Sequence, residues 1–115
     1  MPKDKLDKMF EAHKQFMDLL GSGEIREMNT MEAHNKVREC LFYMIQELME
    51  VAEHLWKPWK KNKKRIDVHK FFTEIADVYF FYIELCILVG MKPDVLYKKF
   101  MMKMVINIER QRRGY

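Results

Sequence analysis

Val37, Leu41, Met44, Leu48, Val51 and Leu55 recur in alternating steps of four and three. That interval keeps side chains on one face of an α-helix, and a seam sustained over this length marks a helix that packs against others. No segment shows lasting β-alternation, and no internal repeat or low-complexity tract appears. With four Gly and three Pro in 115 residues, turns are few and the elements must be long. Four helices account for the pattern. The first is predicted over about Asp4 to Leu20, ended by Gly21-Ser22-Gly23. The second starts at Thr30, a side chain suited to capping, and reaches about Leu55. Trp56 to Ile66, basic and carrying Pro58, reads as a loop. Asp67 caps a third helix that runs to about Val89 and is closed by Gly90. Pro93 opens a fourth that reaches the last few residues. Short connections favour antiparallel neighbours, so residues 1–115 are expected to form one all-α domain, an antiparallel four-helix bundle.

The longest apolar run, Val78 to Val89, is too short to span a bilayer and contains Glu84. Met1 to Lys8 is charged and has no apolar segment, which argues against a leader peptide. Cys40 and Cys86 each sit inside an apolar helical pattern, as reduced core thiols do, and a cytoplasmic setting with no membrane partner follows. The second half of the third helix is apolar almost all round, with Tyr79, Phe80, Phe81 and Tyr82 pointing in every direction. Met101, Met102 and Met104 add apolar surface to the fourth, as filler and subunit contact. So short a chain cannot cover all of this alone. A homodimer, or a dimer of dimers, is expected.

Glu47 and Glu50 lie three apart on the second helix, and Glu74 and Asp77 three apart on the third. Each pair shares a helix face. If the two helices pack side by side, four carboxylates converge and need hard divalent cations between them, Mg²⁺ first. The spacing alone is cheap, since solvent-facing helices are full of it. Glu74 and Asp77 carry more weight, because their helix is otherwise strongly apolar and Glu74, Asp77, Phe81 and Glu84 fall along one stripe. The net charge of +4 is clustered at Lys57, Lys60, Lys61, Lys63, Lys64 and Arg65 and again at Arg110, Arg112 and Arg113. Such runs are commonly solvated faces; phosphate or nucleic-acid binding is the sharper reading. His13, His34, His54 and His69 have no metal-ligand spacing and read as surface or core-edge residues.

Glu47-Leu48-Met49-Glu50, then 23 residues, then Glu74-Ile75-Ala76-Asp77 resembles the E-x-x-E…E-x-x-D signature of the all-α nucleoside triphosphate pyrophosphatases, which include the MazG-like proteins and the dimeric dUTPases. Trp56-Lys57-Pro58-Trp59-Lys60 resembles the W-K-x-W-K stretch of the dimeric dUTPase branch. Lys103, Asn107, Arg110 and Gln111, followed by Gly114-Tyr115, resemble its C-terminal K-x-x-x-N-x-x-R-Q-x-x-G-Y motif.

The resemblance implies a four-helix bundle of that type and Mg²⁺-dependent hydrolysis of a deoxynucleoside triphosphate to the monophosphate and pyrophosphate. It assigns the metal to Glu47, Glu50, Glu74 and Asp77, with Glu47 or Glu50 as general base. Lys103 and Arg110 would contact phosphate, with Lys57 and Lys60 as further contacts. Asn107 would bond the deoxynucleoside, and Phe81 would stack on the base. The family reads uracil with a Gln and an Asn from the first helix, where this chain has His13 and Met17; Phe80 stands where the family often has His. Met17 cannot form an amide's paired hydrogen bonds, and His13 offers a different donor pattern. The implied substrate is therefore dUTP first, with dCTP or another dNTP next. The rival from another class is a non-catalytic helical module that holds nucleic acid through the 57–65 loop and the C-terminal arginines. With the enzyme reading, nucleic acid is not an expected partner.

Overall fold

The structure, a computed structural model, describes residues 3–114. Met1, Pro2 and Tyr115 lie outside the described residues, and with them the start of the charged N-terminal segment and the last residue of the C-terminal motif. Four helices and no strand form among the described residues: α1 (Lys5–Leu19), α2 (Met31–Glu53), α3 (Val68–Leu88) and α4 (Pro93–Arg112).

Local chemistry sets these bounds. The side chains of Asp4, Thr30 and Asp67 accept from the backbone N–H groups of Asp7, Ala33 and Lys70, satisfying donors that a helix start leaves open. Pro93 stands at the first turn of α4, where a missing N–H costs nothing. At the ends of α1 and α3, Gly21 and Gly90 take positive φ, 73° and 78°. The next N–H groups reach back five residues, Ser22 to the Met17 carbonyl at 2.9 Å and Met91 to Cys86 at 2.8 Å. This closure needs a left-handed residue, which favours glycine.

α2 and α3 pack antiparallel along their lengths. The Cys40 thiol donates to the Phe81 carbonyl at 3.4 Å, while toward the other end the ring of His54 lies 5.9 Å from that of Phe71. α1 lies against α3, and α4 against α1. Phe10, Met17, Cys40, Ile83, Cys86, Ile87 and Leu88 make the core, so burial concentrates at the C-terminal half of α3, where the sequence is most apolar. The loop after α1 is tied to this end by the Ile25 N–H, which donates to the Leu88 carbonyl at 2.9 Å. Cys40 and Cys86 are both free and buried. No helix among the described residues is long and apolar enough to cross a membrane.

The predicted seam on α2 stays largely outside this core. Leu41, Leu48 and Leu55 are exposed, and the residues α2 does bury are Ala33 and Cys40. α4 buries none of its residues, with Tyr97 59% and Phe100 60% exposed. The radius of gyration is 17.8 Å, where a compact chain of this length would have about 13 Å. The accessible surface is 9888 Å², against about 6,700 Å² for a folded monomer of 14.1 kDa. Leu48 and Val51 of α2, Ile75 and Val78 of α3, and Tyr97 and Phe100 of α4 line an open apolar cleft of about 580 Å³. α4 packs against α1 and leaves all of its own residues at least partly exposed.

Candidate metal centre

Each of the four acidic residues directly precedes a cleft residue in sequence: Glu47 before Leu48, Glu50 before Val51, Glu74 before Ile75 and Asp77 before Val78. One residue turns an α-helix by about 100°, so the acids occupy the face next to the apolar one. The α2–α3 pair therefore carries carboxylates on one side and a cleft on the other.

On the acidic side, one carboxylate oxygen each from Glu47, Glu50 and Glu74 gather within 4.8 Å of one another. Oxygens around Mg²⁺ at 2.0–2.1 Å are at most about 4.2 Å apart, so rotamer adjustment suffices to close this set around an ion. A second observation points the same way. Glu47 Oε2 and Glu74 Oε2 are buried and have no hydrogen-bond partner. Buried oxygens without a donor are costly, and a cation is the partner their chemistry asks for. The residues present fit Mg²⁺. Asp77 is exposed and outside the tight trio, yet its charge is felt by Glu47.

Glu47 bears the cost of the arrangement. Burial first, then the hydrogen bond and charge of Glu50 and the charges of Asp77 and Glu74, push its carboxyl from 4.5 up to about 7. The consequence for stability has a definite sign. Between those values the folded chain holds a proton that the unfolded chain has released, so stability falls as pH rises from about 4.5 to 7. Thermal melts in chelator across that range should show this fall, and Glu47→Gln should remove that part of it. Equal slopes for wild type and variant would mean that Glu47 is not under this strain.

Other predicted residues are placed differently. Phe81 is half-buried, its ring 5.6 Å from that of Tyr43. His13 is not at the surface or core edge: it is 5% exposed, and its Nε2 lies 3.2 Å from Glu84 Oε1. It sits there because Phe80 and Phe16 flank its ring, while Glu84 offers the partner a buried imidazole needs. Lys57 and Lys60 are exposed in the loop beyond α2, and Lys103, Asn107 and Arg110 are exposed on the outer half of α4. α4, which carries those three, packs against α1.

One residue escaped the sequence reading as part of this face. His54 Nε2 lies 3.8 Å from Glu74 Oε1; its position four after Glu50 was the available signal. Glu84, seven residues after Asp77, lies on the stripe already noted, and its pairing with His13 is what the sequence did not show. No family model matches the chain, nor does any curated protein or solved structure.

Proposed function

We propose that this chain is a Mg²⁺-dependent deoxynucleoside triphosphate pyrophosphatase, working in a cytoplasmic setting as a homodimer or dimer of dimers with a closed bundle. The observation that carries this reading is the gathering of Glu47, Glu50 and Glu74 with two buried oxygens left unpartnered. Carboxylates on an open helical face suit a hard cation that must also reach a phosphate chain. Glu47, Glu50 and Glu74, with Asp77 nearby, would hold the ion. Bound there, Mg²⁺ would offset their charge, stabilise negative charge on the phosphates and acidify water. Glu47 or Glu50 takes the proton of the attacking water. Phe81, four residues from Asp77 and beside Tyr43, offers the base a ring face. Lys103 and Arg110 bind phosphate oxygens and Asn107 the deoxynucleoside, with Lys57 and Lys60 supporting.

The surface supports the oligomer. The chain exposes about 3,000 Å² more than a monomer of its mass should, an excess on the scale of an obligate interface. A second copy packed on the apolar cleft would cover it, and α4 of one copy would then be free to approach the carboxylates of another.

Pyrophosphate release from a panel of dNTPs tests the reading. Turnover of dUTP, dCTP or another dNTP with Mg²⁺, abolished by chelator, is the expected result; no turnover of any dNTP with Mg²⁺ overturns it. One observation favours the nucleic-acid module as the second reading. Trp59 is 76% exposed within the basic loop, beside Trp56, whose ring lies 5.3 Å below the Lys63 ammonium and whose indole N–H donates to the Lys64 carbonyl. That module would bind single strands by stacking and charge, weaken steeply with salt and ignore Mg²⁺.

A further inference from the structure

The carboxylate face continues past the metal centre into a second cavity. It has a volume of about 210 Å³ and is lined by Lys36, Glu39, Cys40 and Tyr43 of α2 and by Glu84 of α3. Cys40 precedes Glu47 by seven residues, and Glu84 follows Asp77 by seven. In an antiparallel pair both displacements run the same way, about 10 Å along the groove. Tyr43 lines this cavity, and its ring lies 5.6 Å from that of Phe81. A ligand with its phosphates at the carboxylates would lay its other end in this cavity.

The groups around the cavity are fixed. A carboxylate can only accept, so His13 Nε2–H donates to Glu84 Oε1 across 3.2 Å. His13 is itself held by Phe80, with ring centroids 4.2 Å apart in an edge contact. The Glu84 side chain is 18% exposed and so remains open to the cavity it lines. Tyr43 is pinned at the rim by its hydroxyl, which donates to Glu39 Oε1 at 2.9 Å. Burial first and the Glu84 charge second push the Cys40 thiol up to about 12, so it stays protonated beside the carboxylate. The cavity thus presents an anchored acceptor, Glu84, and one ammonium donor, Lys36, with the Ser22 hydroxyl and the Tyr43-bound Glu39 carboxylate also on its wall.

We infer that this cavity seats the nucleobase and that Glu84, oriented by His13, selects cytosine over uracil and thymine, an inference that rests on the pyrophosphatase reading above. Cytosine offers an exocyclic amino donor beside ring acceptors, and a Glu carboxylate accepting from that amine is a recurrent pairing. Lys36 can donate to the ring acceptors. Uracil and thymine carry a carbonyl where cytosine carries the amine, and would turn an acceptor toward an acceptor-only group. At about 210 Å³ the cavity is smaller than pockets that take drug-sized ligands, which favours a single ring. His13 acts through Glu84 and is a positioning residue.

The test measures binding of dCMP, dUMP, dTMP and dGMP to the full chain without metal, and turnover of the matching triphosphates with Mg²⁺. Wild type should bind dCMP roughly 10- to 100-fold more tightly than dUMP. Glu84→Gln should narrow or invert that ratio, because the amide can donate to the uracil carbonyl. A ratio near one, or a preference for dUMP, dTMP or dGMP in wild type, overturns the inference, and that comparison decides alone should the variant not fold. An unchanged ratio in a folded Glu84→Gln, checked by circular dichroism, also overturns it. Selective dCMP binding with no turnover of any triphosphate would uphold Glu84 while removing the pyrophosphatase reading alone.

Discussion

Glu50→Gln and Asp77→Asn should each cut Mg²⁺-dependent hydrolysis by about a hundredfold or more, the scale expected when several kcal/mol of charge stabilisation are lost. Neither should unfold the protein. Both side chains are exposed, so no cavity or orphaned buried group is created. In chelator the variants should melt at the same temperature as wild type or slightly higher, because one like charge has left the neighbourhood of Glu47. Magnesium should also raise the melting temperature of wild type by mass action, and do so less in each variant. Activity and metal-induced stabilisation must fall together. A variant that keeps its Mg²⁺ stabilisation and more than a small fraction of turnover would remove its residue from the metal set.

Tyr97→Glu and Phe100→Glu should break the assembly. Both rings stand on α4, more than half exposed, and line the apolar cleft with Leu48, Val51, Ile75 and Val78. A charge placed there has no partner once a second copy covers it, and burying it costs several kcal/mol. Neither ring is buried within the chain, so the folded subunit should lose little by the change. Light scattering should give a dimeric or larger mass for wild type at micromolar concentration and a monomeric mass for either variant. Wild-type melting should depend on protein concentration, and that dependence should vanish in the variants. A monomeric wild type that still hydrolyses nucleotide would defeat the proposal.

How far the chain could be read in advance divides along a physical line. Thr30, Asp67, Gly21, Gly90 and Pro93 announced where helices begin and end, since capping and left-handed closure are local chemistry. The facing of Glu47 and Glu50 toward Glu74 was legible once α2 and α3 were taken as neighbours, because spacing fixes the face that each pair shares. The pairing of His13 with Glu84 was not. The two are 71 residues apart, and no local pattern says which buried imidazole meets which carboxylate. Nor could periodicity say what would cover Val37 to Leu55. A seam specifies an apolar face and is silent on whether a helix of the same chain or of another covers it. The exposed α4 is the structural form of that ambiguity.

The alternation of acid and apolar residue at Glu47-Leu48, Glu50-Val51, Glu74-Ile75 and Asp77-Val78 bears on how such a chain can change over time. Inserting or deleting one residue within α2 or α3, upstream of these pairs, turns everything beyond it by about 100°. An insertion would turn the carboxylates toward the cleft, and a deletion would bring the aliphatic residues round to the ions. Four inserted residues restore the facing to within about 40°, at the cost of sliding the acids one turn out of line with those on the other helix. Substitution is open to these two helices position by position, but length is not. Tolerance for insertions is left to the loop between Leu55 and Asp67 and to the turns that Gly21 and Gly90 close.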